Sequence, residues 1–302
     1  MLDFQKITPQ MREEFEKYLL PLQKSCEYAF TNLCIWGRQR ACFVEGFLVL
    51  FSHFDRRAVY PFPAGQGDVR PALDAIIHDA QMRGIPCCIT GLNRENMDLL
   101  EQLYPGKFTF QCDRGSFDYV YCIDDLADLK GRKYQKKRNH VNKFRTLYPN
   151  WRAEPMTAAH LPAVREMTQH WFEARQKMDP TGNYQLEQVA LARALDHFEA
   201  LQLDGMVLLD GERILAFTMA SRLSGDTMDV HFEKALEDVD GAYAAINQAF
   251  AQYLRDKYPQ IRYLDREEDM GLEGLRKAKL SYYPEHLKEK CWARLWEESD
   301  GH

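Results

Sequence analysis

The chain runs through one order of elements twice, so it has to build two similar layered units rather than one continuous sheet. From Ala41 to Tyr121 the sequence shows an apolar hairpin (ACFVEGFLVLFSHF), a second extended run (AVYPFP) and a helical stretch over 68–83. A short strand (PCCITGL), the polar residues Asn93, Arg94 and Glu95, an amphipathic helix ending at Leu103-Tyr104-Pro105 and a last strand follow. Met206 to Trp296 repeats that order, beginning with the hairpin MVLLDGERILAFTMASRL and the strand TMDVHFEKA. A helix from Gly241 to Lys257, the strand IRYLD, the cluster Arg266-Glu267-Glu268-Asp269, a helix ending at Ser281-Tyr282-Tyr283-Pro284 and the strand HLKEKCWARLW complete it. What repeats is the apolar period, two in the strands and 3.6 in the helices, rather than the residues. A length of 302 residues fits two domains of about 100–200 residues each. We expect them at 1–125 and 126–302, each a mixed α/β (α+β) sheet unit.

A net charge of −6 argues against nonspecific nucleic-acid binding by the whole surface. No stretch approaches the ~20 apolar residues of a membrane span, and MLDFQKITPQMREEF lacks the apolar centre of a secretory signal. A cytoplasmic protein with no integral membrane segment is therefore expected. The eight cysteines include no C-x-x-C pair. Buried free thiols are expected, with neither disulfide nor metal site.

One segment departs from the acidic balance. Eight of the sixteen residues from Lys130 to Arg145 are Lys or Arg. At helical spacing Arg132, Lys136, Asn139 and Lys143 align, as do Lys133, Lys137 and His140, while Val141 and Phe144 can face a core. Clustered ammonium and guanidinium groups suit phosphate oxygens, and Tyr134, Phe144 and Tyr148 offer faces for stacking. The competing reading is a solvated helix face paired with acidic groups.

The β-β-β-α-β-α-β order resembles the core of the GNAT acyltransferase fold, here in tandem. In GNAT acetyltransferases a turn of the pattern Arg/Gln-x-x-Gly-x-Gly/Ala opens a helix whose free amides bind the pyrophosphate of coenzyme A. This chain keeps Gly241 but puts Asp238 and Tyr243 at the other two places, with Glu237 and Asp240 alongside. Three carboxylates cap a helix well and neighbour a pyrophosphate badly. No cofactor is expected. Acetyl-CoA at Gly241 is the disfavoured alternative.

The strand IRYLD delivers Asp265 to Asp269 at its C-terminal end, where open α/β sheets place ligands. Glu267, Glu268, Asp269 or Asp229 would accept a proton from an incoming amine or hydroxyl, and Tyr282 or Tyr283 would protonate a leaving group. Ala278-x-x-x-Tyr282 also has the spacing by which many GNAT enzymes present a tyrosine acid. Asp229, His231 and Glu233 alternate along one strand and share a face.

At GRKYQKKRNHVNKF and REEDMGLEGLRKAKLSYYP the chain resembles a specific family, the bacterial proteins related to the C-terminal domain of phosphatidylglycerol lysyltransferase. That family is similar to tandem-GNAT transferases that use aminoacyl-tRNA, including the Fem-type peptidoglycan enzymes. The resemblance implies an acyl- or aminoacyl-group transferase acting on an amine or hydroxyl, with a phosphate-bearing donor such as tRNA. The acceptor would be a small molecule or a lipid headgroup. The resemblance places Lys133, Lys136, Arg138 and Asn139, and Glu268, Asp269, Arg276 and Lys279, at the functional cleft, where Arg276, Lys279 and the basic segment would hold phosphates. A coenzyme A-dependent N-acetyltransferase and a non-catalytic RNA- or nucleotide-binding protein are the alternatives.

Overall fold

A computed structural model describes residues 1–22, 24–37, 39–54 and 57–296. Strands β1 (Gln5–Lys6), β2 (Arg40–Val44), β3 (Phe47–Phe54), β4 (Arg57–Pro61), β5 (Ala64–Gly65), β6 (Cys88–Leu92) and β7 (Phe108–Cys112) belong to the first sheet. With them come α1 (Arg12–Leu19), α2 (Phe30–Ile35), α3 (Arg70–Arg83) and α4 (Arg94–Leu103). Ile76, Leu73 and Ala80 of α3 pack with Val49, Tyr60, Ile89 and Leu100 in the core of this unit. Gly84 ends α3 in the left-handed conformation, at φ 65°, which suits glycine.

The second sheet takes β8 (Asp118–Cys122), β9 (Trp151–Pro155), β10 (Asp204–Asp210), β11 (Arg213–Arg222), β12 (Thr227–Ala235), β13 (Tyr263–Asp265) and β14 (His286–Lys288). Its helices are α5 (Ile123–Asp128), α6 (Gln135–Leu147), α7 (Leu161–Met178), α8 (Gln185–Asp196) and α9 (Ala242–Lys257), while α10 (Glu273–Leu280) is divided, its residues up to Arg276 belonging with the first sheet and those from Lys277 with the second. A capping box of Thr157 and His160 precedes α7, whose Val164, Met167 and Trp171 are buried at helical spacing. The repeat is visible in the ladders. β3 and β4 are antiparallel and β4 and β6 parallel, just as β11 and β12 are antiparallel and β12 and β13 parallel. Both units carry the tandem GNAT-like order.

The last strand, β15 (Cys291–Leu295), lies between β6 and β7 of the first sheet, whereas β8 lies between β13 and β14 of the second. The compact units are therefore residues 1–118, 268–276 and 287–302, and residues 119–267 and 277–286. This corrects the expected boundary at 125 and the expectation that HLKEKCWARLW forms one strand of the second half. Burial explains the exchange. The first four residues of β8 are buried, while β7 is exposed beyond Phe108. A strand covered on both faces belongs inside a sheet.

Expected free thiols are found at Cys26, Cys34, Cys42, Cys87, Cys88 and Cys122. Cys112 and Cys291 instead form a disulfide. They are register partners on β7 and β15, so their Cα atoms are 4.3 Å apart.

Candidate active site

In the second unit, α6 buries Val141 and Phe144 and turns a half-buried Lys137 toward Tyr282. The Lys137 ammonium lies 3.6 Å from the centre of the Tyr282 ring, and Arg266 lies 5.0 Å from the same ring. Arg266 donates to Glu233 Oε1 at 2.8 Å, so the guanidinium is fixed from below by a strand carboxylate. Burial, aided by the nearby charge of Arg266, lowers the Lys137 pKa to about 8. Burial also raises the Tyr282 phenol, which stays protonated at neutral pH. Tyr282 is 7% exposed. Its carbonyl accepts a hydrogen bond from Tyr134 Oη at 3.0 Å. Tyr283 is 47% exposed, in a left-handed turn at φ 53°.

The expected phosphate ligands separate into two groups. Lys136 and Asn139 are exposed on α6, and Lys133 pairs with Asp125 at 3.0 Å while remaining solvent-accessible. Arg138 faces its own backbone, donating to the carbonyls of Leu129 and Gly131 at 2.5 and 2.6 Å. Lys279 donates to the carbonyls of Arg266 and Glu267. Both side chains therefore hold turns by donating to backbone carbonyls.

Gly241 has a packing role. It sits at φ 82°, and a Cβ there would lie 2.4 Å from the carbonyl oxygen of His140 on α6. The acids beside it are each paired: Glu237 with Arg175 at 3.4 Å, Asp238 with Arg213 at 3.0 Å, and Asp240 with Lys143.

Asp229 and Glu267 meet at His231. His231 Nδ1 is 3.4 Å from Asp229 Oδ2 and 3.6 Å from Glu267 Oε1. The shared face expected for Asp229 and His231 is present, and Glu233 serves Arg266.

In the first unit, Glu268 and Asp269 have different settings. Asp269 is fully buried. It accepts from Arg276 Nε and Nη2 at 2.7 and 3.0 Å and lies 3.5 Å from Arg114 Nη1. This fork holds the 269–276 turn, and Arg276, expected to bind phosphate, belongs to it. Glu268 lies 2.5 Å from the Lys290 ammonium, which is 3% exposed and also 2.8 Å from Asp118 and 3.2 Å from Glu27. The Lys290 ammonium is 3.4 Å from Cys26 Sγ as well. Burial raises Glu268 to about 7. Lys290 opposes that shift, and the like charges of Glu27 and Asp118 add to it. Burial also pulls the Lys290 pKa down, but Asp118, Cys26, Glu27 and Glu268 outweigh it and hold the ammonium charged.

Sequence reading passed over Lys137, Arg266, Glu233 and Lys290 as site residues. Three of them stood inside stretches the sequence had singled out, Lys137 in the basic segment, Arg266 in the cluster after IRYLD and Glu233 on the strand face of Asp229 and His231, while Lys290 carried no signal. A groove of about 510 Å³ floored by Phe172, Leu191 and Leu195 contains none of these groups.

The phosphatidylglycerol lysyltransferase C-terminal family model matches residues 20–294. A conserved protein of unknown function from Bacteroides thetaiotaomicron is 36% identical, covering 98% of this chain and 100% of that one, with a TM-score of 0.94. The L-PGS structure from Bacillus licheniformis is 15% identical over 98% of this chain and 94% of its own, with a TM-score of 0.72, a likeness of fold. An uncharacterised protein of Mycoplasmoides gallisepticum is 27% identical over 184 residues, 60% of this chain. That match spans just over half of the relative's length, 56%. On the extent of the family match, this chain belongs to the phosphatidylglycerol lysyltransferase C-terminal family.

Proposed function

We propose that the chain transfers an aminoacyl group from the ester of an aminoacyl-tRNA to an amine or hydroxyl acceptor, without coenzyme A. The family supports group transfer, and the observation that carries the chemistry is Lys137. Its pKa of about 8 lets it take a proton near neutral pH and hand it back, as an efficient acid–base catalyst must. As the acceptor attacks the ester carbonyl carbon, Lys137 takes the acceptor's proton. The bond from that carbon to the ribose oxygen then breaks, and the Lys137 ammonium returns the proton to the departing oxygen. Arg266, fixed by Glu233, supplies the cation for the oxyanion that forms between the two steps. The carboxylates expected to act as base have other partners: Asp269 has its arginines, Glu268 has Lys290, and Asp229 and Glu267 surround His231. The exposed Arg132 and Lys136 are assigned to donor phosphates.

The test is transfer of a labelled amino acid from aminoacyl-tRNA to phosphatidylglycerol vesicles or to soluble amines, which distinguishes lipid from small-molecule acceptors. Lys137→Met is expected to lower the rate by roughly 10²–10⁴-fold, the usual worth of a general acid–base group. The wild-type rate should rise with pH up to about 8, and the variant should lose that limb. Undiminished transfer by Lys137→Met would sink the assignment. Turnover of acetyl-CoA would favour the acetyltransferase, and tRNA binding without turnover the binding protein.

The double variant Arg132→Glu with Lys136→Glu should weaken tRNA binding and flatten its dependence on log salt by about 2, one for each lost phosphate contact. An unchanged salt slope would make that helix face a solvated one. Arg138 is left out of this test because its removal frees two turn carbonyls.

A further inference from the structure

We propose that Asp229, His231 and Glu267 form a site for one divalent metal ion, with Zn²⁺ preferred. The inference does not depend on the transfer reaction. His231 is the key residue. Its side chain is fully buried, and its Nε2 lies 2.8 Å from Ser221 Oγ. Its Nδ1, buried too, has no hydrogen-bond partner. A buried polar nitrogen left this way is destabilising, so what faces it matters.

Two carboxylate oxygens face it, Asp229 Oδ2 at 3.4 Å and Glu267 Oε1 at 3.6 Å. The three atoms all lie within 4.8 Å of one another. Both distances exceed a good N–H···O hydrogen bond of about 2.7–3.2 Å. They match a different figure. Ligands held about 2.0–2.2 Å from a tetrahedral zinc ion lie roughly 3.3–3.6 Å from each other. One imidazole and two carboxylates are zinc ligands by type, and a fourth position would be left for water.

The backbone is built to bring these groups together. β12 bulges at His231: Met219 pairs with Phe232 and Ala220 with Val230, so His231 has no partner residue on β11. Glu267 follows β13 in a left-handed conformation, at φ 57°, and its N–H donates to Asp265 Oδ1 at 2.9 Å. Ser221 acts on the ring as outer partners of metal-bound imidazoles do: with Nε2–H donating to Oγ, the lone pair is left on Nδ1. The Glu267 side chain keeps 21% exposure, which gives an ion a way in. In the first unit the trio Cys26, Glu27 and Asp118 has comparable spacing. There the Lys290 ammonium already occupies the cation's place, 2.8 Å from Asp118.

The experiment strips the full chain with a chelator and titrates it with Zn²⁺, then with Mn²⁺ and Mg²⁺, by calorimetry and thermal unfolding. Expected are one Zn²⁺ per chain, a raised Tm and weaker binding of Mg²⁺. Co²⁺ substitution should give the intense visible bands of a four-coordinate ion. His231→Gln should abolish the stoichiometric site, and Ser221→Ala should weaken it about 10–100-fold. Circular dichroism checks that His231→Gln is folded. If it is not, Glu267→Gln, whose side chain is partly exposed, decides in its place. The proposal is overturned if no one-to-one binding appears, or if zinc affinity survives in the deciding variant.

Discussion

Lys290→Met is expected to destabilise the first unit by about 3–5 kcal/mol, the usual cost of removing one partner from a buried ion pair. The ammonium is almost fully enclosed, and Asp118 beside it has no exposed surface. Glu27 and Glu268 share the same cation. Without it, the contacts left to the Asp118 carboxylate among the described residues are the Cys26 N–H, 2.8 Å from Oδ2, and the Cys26 thiol, 3.3 Å from Oδ1. These cannot neutralise a carboxylate in a low-dielectric setting. Urea denaturation should show a lower midpoint, and adding Asp118→Asn should recover part of the loss, because the uncompensated charge goes with it. A midpoint within error of wild type would mean that water reaches the cluster and solvates the acid.

Removing the disulfide is the second large effect. Cys112 and Cys291 close a span of 179 residues, and chain-entropy reasoning gives a stabilisation of roughly 2–5 kcal/mol for such a crosslink. The double variant Cys112→Ser with Cys291→Ser should therefore unfold at lower urea under non-reducing conditions. Wild-type protein treated with reductant should approach the variant. Peptide mapping without reductant should recover the two cysteines on one linked fragment. Equal midpoints for oxidised wild type and variant would remove the bridge from the account of stability.

The two-fold order of elements was legible because strand and helix periods differ, and both survive in a low-identity repeat. The destination of β8 and β15 was not. Sheet partners depend on which strand is covered on both faces, and Asp118–Cys122 and Cys291–Leu295 look alike as short apolar runs. The basic segment was rightly read as a helix that buries Val141 and Phe144. Its cations could not be sorted from sequence. Lys136, Lys137 and Arg138 are adjacent, yet one is exposed, one stacks on Tyr282, and one holds two carbonyls. Those partners lie outside the local pattern. His231 is a similar case, since Glu267 approaches it from 36 residues further along the chain, beyond any short motif.

The placement of β15 also bears on synthesis at the ribosome. The first sheet holds an interior position, between β6 and β7, that only Cys291–Leu295 fills. Residues 1–118 therefore leave the exit tunnel with two unpaired strand edges and wait for nearly the whole polypeptide. At about 5–20 residues per second, translation of the intervening stretch takes roughly ten seconds or more. Unpaired edges are templates for pairing with other chains, so nascent chains that stall before Cys291 are the species on which chaperones would act.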